Sequence, residues 1–265
     1  MDKTRHDAWA NAEAYESYVG RWSRITAKDF LKWLDVPKNK TWLDLGCGTD
    51  ALSQTILEIA FPSNLLAVEP SEDFLTLAKC QINDDRALFA LGSGSDIPTE
   101  DNSIDVLVSA YVLNFIPNLQ EAFDEMKRVV KPGGVIAAYV WDYKDKTEFM
   151  RYFWDAASDL DDEAKELDEG KRFSLCHPDK LSPQFRFAGL QEVEVKAIDI
   201  STVYKDFDDY WQPFLGGIGP APGYVASLSS REKERLRVKL YQSFLISDDG
   251  SIHLRARSWA VKSIV

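Results

Sequence analysis

Thr41-Trp42-Leu43-Asp44-Leu45-Gly46-Cys47-Gly48-Thr49-Asp50 is the stretch whose reading decides the fold. A short apolar run forms a strand, two glycines turn the chain, and a helix opens at Ala51. Glycines without side chains let a ligand reach the backbone. The free N–H groups at the start of the following helix favour an anionic group. Gly46-Cys47-Gly48-Thr49-Asp50-Ala51 also satisfies the G-x-G-x-x-A pattern of a dinucleotide loop. The turn by itself therefore leaves two cofactor classes open.

Working outward, strands and helices alternate. Apolar strands are expected at residues 41–45, 64–69, 87–91, 104–109 and 135–141. Helices are expected at residues 51–60, from Pro70-Ser71 to about 82, and at 119–130. Lys131-Pro132-Gly133-Gly134 reads as a turn before the fifth strand. This alternation implies an α/β fold: a Rossmann-like, doubly wound, seven-stranded, mostly parallel sheet with an antiparallel last strand. In such sheets ligands bind beyond the carboxyl ends of the strands. Gly46, Glu69, the loop at 92–95 and the segment at 109–111 all fall at those ends.

The flanks complete one expected domain over residues 1–265. Tyr15, Tyr18 and Trp22, and then Phe30, Trp33 and Leu34, recur at helical spacing, so residues 7–20 and 23–35 read as two helices and residues 1–36 as a helical N-terminal cap. Residues 41–141 form the core. Residues 142–190, with an acid-rich stretch at 155–169, read as a helical insertion or lid after the fifth strand. Residues 191–265 hold two closing strands (191–203 and 251–261), an aromatic helical turn at 207–214, a Gly/Pro loop at 215–223 and a charged helix at 230–243.

Composition removes several function classes. The net charge of −12 disfavours nucleic acid as a partner, since a basic face is the usual footprint. No apolar run approaches the ~18 residues that span a bilayer. The charged first ten residues are unlike a secretory signal. Cys47, Cys80 and Cys176 show no paired spacing, which fits a reducing cytoplasm. Cys176-His177 has no partner at metal-ligand spacing, so no metal site is expected.

Three further segments choose between the cofactor classes. Asn102-Ser103-Ile104-Asp105-Val106-Leu107-Val108-Ser109 is followed by Val129-Val130-Lys131-Pro132-Gly133-Gly134, and Tyr15-Glu16-Ser17-Tyr18-Val19-Gly20-Arg21-Trp22-Ser23 precedes the core. Together with the glycine turn they resemble the class I S-adenosylmethionine-dependent methyltransferases, in the type 11 group that includes ubiquinone/menaquinone C-methyltransferases. The tail from Phe207 to Gly217 resembles a bacterial subfamily of the same kind. The resemblance implies methyl transfer from S-adenosylmethionine to a small-molecule acceptor, leaving S-adenosylhomocysteine. It implies that Asp44, Gly46 and Gly48 hold the methionine portion, Glu69 the ribose, and the loop after the third strand, with Ser93 and Gly94, the adenine. Cys47, Pro70, Ala110 and Tyr111 are further cofactor-binding candidates. A non-catalytic binding protein on this fold and a nicotinamide oxidoreductase are the alternatives.

Two positions depart from the family pattern. Asp50 stands where a third glycine is usual, and it either caps the following helix or crowds the cofactor. Ser93 stands where an acid commonly binds the adenine amino group, and a hydroxyl is a weaker acceptor than a carboxylate.

The transfer itself asks for alignment and exclusion of water more than for acid–base groups. No catalytic residue is assigned. His6, His177 and His253 are scattered and read as structural or solvated. The acceptor-binding candidates are Tyr15, Tyr18, Trp22, Asn114, Trp141, Tyr210 and Trp211, whose rings suit an apolar or planar molecule. The segment Ser109-Ala110-Tyr111-Val112 lacks the Asn/Asp-Pro-Pro-aromatic run of enzymes that methylate amide or exocyclic nitrogen.

Overall fold

The computed structural model describes residues 16–217 and 219–265. Tyr15 and His6 lie outside the described residues. The chain divides into two compact units. The first comprises residues up to Arg21, with Asp142–Ser174 and Asp199–Arg257. The second comprises Trp22–Trp141, Leu175–Ile198 and Ser258–Val265.

A seven-stranded sheet is built from β1 (Thr41–Leu45), β2 (Asn64–Glu69), β3 (Ala87–Leu91), β4 (Ile104–Ala110), β5 (Val130–Trp141), β6 (Gln191–Tyr204) and β7 (Ile252–Ile264). Its order is β3-β2-β1-β4-β5-β7-β6. Strands β1 to β5 pair in parallel, and β7 runs antiparallel to β5 from Trp141↔Ser258 to Val135↔Ile264. The expected fold class is the observed one. Central strands carry apolar residues on both faces, as a buried parallel sheet requires: Trp42, Leu43 and Leu45 in β1 and Val106, Leu107 and Val108 in β4 are all buried. The strand order reverses between β1 and β4, and the glycine turn leaves β1 at that switch point.

Flanking helices of the second unit follow their sequence signals. They are α1 (Arg21–Leu34), α2 (Ala51–Thr55, continued by a π-helical turn at Ile56–Ala60), α3 (Glu72–Gln81) and α4 (Leu119–Val129). In α4, Ala122, Phe123, Met126 and Val129 form one buried stripe, and Asn118 caps its start by accepting the Glu121 N–H at 3.3 Å.

Helices α5 (Glu148–Leu160), α6 (Ala164–Leu167) and α7 (Glu169–Arg172) follow β5, and α8 (Pro178–Phe187) precedes β6. Helices α9 (Phe207–Trp211), α10 (Pro220–Ser227) and α11 (Ser230–Ser243) separate β6 from β7. In α11, Ser229 and Glu232 form a reciprocal capping box.

Three local expectations are corrected. Residues 16–20 form a π-helical turn before α1, which starts at Arg21 rather than 23. The Lys131 to Gly134 stretch is not a turn before β5 but an irregularity inside it. The register shifts between Ile104↔Val130 and Val106↔Val135, Gly133 takes φ 78°, and Gly133 and Gly134 exchange backbone bonds with Val265. The Gly/Pro loop at 215–223 gives way to α10, because Pro220 sits in the first helical turn, where its missing N–H costs nothing.

Candidate functional site

The glycine turn is bound to the end of β2. Gly46 and Cys47 both donate to the Val68 carbonyl, at 2.8 and 3.1 Å. The Glu69 carboxylate accepts the Gly48 N–H at 3.0 Å and the Ser71 N–H at 3.1 Å. Glu69 is buried, and burial raises its pKa while the two N–H bonds oppose that rise. Pro70 beside it is exposed.

Both glycines adopt left-handed backbone, φ 74° at Gly46 and 57° at Gly48. Their surroundings differ. A Cβ on Gly46 would meet Val112 Cγ2 at 2.5 Å, whereas one on Gly48 would meet nothing within 4 Å. The Cys47 side chain turns inward, packing with Ala67, Leu75, Ala78 and Phe89, and burial pushes its thiol pKa far up.

Asp44 lies 0 % exposed at the end of β1. Its Oδ2 accepts the Ser53 hydroxyl at 2.7 Å, while Oδ1 is buried and has no hydrogen-bond partner. Its pKa is pushed up to about 7, first by burial, with repulsion from Glu69 and Asp50 adding to it and the Ser53 bond opposing it. A buried acceptor left open is rare and calls for an explanation.

Asp50 does not make the helix-cap bond that the sequence suggests. It occupies the N-cap position of α2 at φ 139°, but its side chain makes no capping bond. It is 1 % exposed, and its Oδ1 accepts the Arg24 guanidinium from α1. Neither Arg24 nor Ser53 is marked by a sequence motif. Ser53 reads only as a first-turn helix residue, and Arg24 is one of several charges on a distant amphipathic helix.

After β3, Ser93 and Asp96 close a tight backbone bridge, and Ser93 Oγ lies 3.3 Å from Ser95 Oγ. A Cβ on Gly94 would meet Ile116 at 3.1 Å and Ala122 at 3.2 Å. The segment after β4 thus touches both loops: Val112 lies against Gly46, and Ile116 lies against Gly94. Between them, both amide atoms of Asn114 are buried without partners.

The structure brings together Asp44, Gly46, Cys47, Gly48, Glu69, Pro70, Ser93, Gly94, Ala110 and Tyr111 at the carboxyl ends of β1 to β4 in the second unit. Tyr111 is buried at φ 60°, stacked on Trp141 at 4.1 Å, and its hydroxyl lies 2.8 Å from Ser258 Oγ. Trp22 and Trp141 are likewise buried in this unit.

Tyr18, Tyr210 and Trp211 are buried in the first unit. There Tyr18 packs edge-on against Phe149 and Phe214, and Tyr210 donates its hydroxyl to the Phe149 carbonyl at 2.8 Å. The Tyr18 hydroxyl is buried without a partner. In the same unit the Trp154 indole N–H donates to the buried Glu169 carboxyl, whose pKa burial pushes up to about 7. Among the described residues, no group of three or more His, Cys, Asp or Glu could hold a metal, and no helix is long and apolar enough to cross a membrane.

Residues 43–138 match a family model described as a methyltransferase domain. The chain is 25 % identical over 206 residues to the demethylmenaquinone methyltransferase of Staphylococcus carnosus, covering 73 % of this chain and 83 % of that one. It is 32 % identical over 114 residues to the demethylmenaquinone methyltransferase of Oceanobacillus iheyensis, covering 41 % of this chain and 48 % of that one. A phosphoethanolamine N-methyltransferase from Haemonchus contortus, solved with S-adenosyl-L-methionine, shares the fold at TM-score 0.59 and 15 % identity, over 96 % of this chain and 56 % of that one. The YcgJ protein of Bacillus subtilis does so at TM-score 0.58 and 12 % identity, over 91 % of this chain and 97 % of that one. The matched core spans the strands that carry the glycine turn, so residues 43–138 form a methyltransferase domain.

Proposed function

We propose that the chain methylates a small apolar or aromatic molecule, with a reduced quinone-type ring as the first candidate. The bound cofactor supplies a methyl group already activated on a sulfonium. What remains for the protein is to hold the two reactants in line and keep water out.

The residues of the turn fit that cofactor. Asp44 Oδ1 is a buried, unsatisfied acceptor of the kind a methionine ammonium group would fill. The open space over Gly48 lets ligand atoms reach its backbone. Glu69 uses one lone pair on each oxygen for Gly48 and Ser71, which leaves acceptor capacity for ribose hydroxyls. The backbone around Ser93 and Gly94, with Ala110 and Tyr111, is assigned to the adenine end.

Asn114 is the observation that carries the acceptor side of the reading. Its unpartnered, buried amide lies on a segment that touches both the glycine turn and the loop after β3. It supplies one donor and one acceptor direction for an acceptor oxygen. The buried rings of Trp22 and Trp141, in the unit that holds the glycine turn, support an apolar partner. The demethylmenaquinone methyltransferases among the relatives support a quinone-type ring.

The test is transfer of label from methyl-labelled S-adenosylmethionine to a reduced naphthoquinone lacking its ring methyl, a simple phenol and an alkylamine. Label is expected on the aromatic acceptors. Label on the amine alone would overturn the reading.

A further inference from the structure

The residue that breaks the family's glycine pattern is itself bound by a residue that no motif marks. Asp50, Asp44 and Glu69 place three carboxylates around one turn, and repulsion from Glu69 and Asp50 adds to the burial that raises the Asp44 pKa. Asp50 is almost wholly buried, while the Arg24 side chain that donates to it remains 35 % exposed. An unpaired carboxylate at that burial would be strongly unfavourable, and beside a ligand's own carboxylate more so.

We infer that Arg24 is a positioning residue for the cofactor: by binding the Asp50 carboxylate it neutralises the acid that replaces the third glycine, so that the turn accepts the anionic methionine end. This rests on the cofactor reading of the turn given above. It goes beyond that reading in tying α1 to the cofactor loop through one ion pair. It also accounts for how an acid is tolerated at this position. The pair spans 26 residues of sequence, and Asp50 does not relax into the helix cap that would otherwise satisfy it.

The inference is tested by a mutant cycle read with two ligands. S-adenosylhomocysteine carries the methionine ammonium and carboxylate; 5′-methylthioadenosine carries neither. Isothermal titration on the full chain is expected to show Arg24→Gln weakening S-adenosylhomocysteine binding by about tenfold or more, since it withdraws a guanidinium from a buried carboxylate. Arg24→Lys restores most of that loss. Binding of 5′-methylthioadenosine changes little in either variant.

In an Asp50→Gly background the same Arg24→Gln change loses its effect on S-adenosylhomocysteine, because the charge it balanced is gone. Melting curves of all variants, with and without ligand, confirm that each is folded. The Asp50→Gly protein, relieved of a φ of 139°, keeps the cycle readable if Arg24→Gln alone is unstable. An equal loss in the original and the Asp50→Gly backgrounds, or an equal loss for both ligands, would overturn the inference. Failure of the unaltered protein to bind S-adenosylhomocysteine would instead strike the cofactor reading itself.

Discussion

Glu69 holds the glycine turn in place: its Oε2 accepts the Gly48 backbone N–H at 3.0 Å, while Oε1 accepts that of Ser71 at 3.1 Å. One side chain at the end of β2 therefore joins the turn after β1 to the start of α3. Glu69→Gln keeps the shape but turns one accepting oxygen into a donor facing an N–H. We expect a loss of about 1–3 kcal/mol in stability, the cost of leaving a buried donor unsatisfied. Urea unfolding should show it, and S-adenosylhomocysteine affinity should fall with it. A variant as stable as the original would mean that the turn does not depend on this carboxylate.

The two glycines of the turn should fail in different ways. Gly46→Ala meets Val112 at 2.5 Å in addition to the cost of its φ, so folding stability should drop by about 1–3 kcal/mol. Val112→Ala should recover part of that drop. Gly48→Ala meets no protein atom, so only the left-handed strain of about 1–2 kcal/mol remains. Its main effect is expected on cofactor binding, because the added methyl enters the open side of the turn. Denaturation and titration of both variants separate the two outcomes; equal losses in both measurements would contradict the distinction.

Asp44 makes stability depend on pH. An unfolded Asp releases its proton near pH 4, but in the folded protein burial delays release to about 7. The folded state binds more protons between those values, so this group's contribution declines as pH rises through that window. Asp44→Asn removes the titration. Its melting temperature relative to the original protein should therefore rise progressively from pH 5 to pH 8. Its cofactor affinity should fall, since an amide no longer offers a charge to an ammonium group. A difference in melting temperature that is flat with pH would rule out the buried Asp44 titration.

Tyr111 separates packing from binding. Its ring stacks on Trp141 and its hydroxyl pairs with Ser258 at 2.8 Å. Tyr111→Phe should cost about 1 kcal/mol, the typical net value of one hydrogen bond. Ser258→Ala should add little in that background, as expected for two partners of one bond. Cofactor affinity should stay within about twofold of the original if the hydroxyl serves only the core. A larger loss of affinity would place the hydroxyl at the ligand.

The sequence by itself determined the sheet, because buried parallel strands must be short apolar runs and the turns between them must break the pattern. Strand β1 and the glycine turn, β2 with its terminal Glu69, α4 and α11 were all legible at or near their observed limits. The interior of β5 was not. Lys131-Pro132-Gly133-Gly134 carries every local mark of a turn, and only pairing with β4 and β7 draws it into a strand. Helix α10 was hidden for the same reason, behind prolines and a glycine that also suit loops. At the site, residue identity announced the candidates, but their electrostatic state depended on what the fold packs around them. That Asp50 pairs instead of capping was decided by Arg24, which reaches it from a helix 26 residues earlier. A side chain's local conformation can be read from its neighbours in sequence; the partner of a buried charge is chosen by tertiary packing, because only packing removes the water that would otherwise serve.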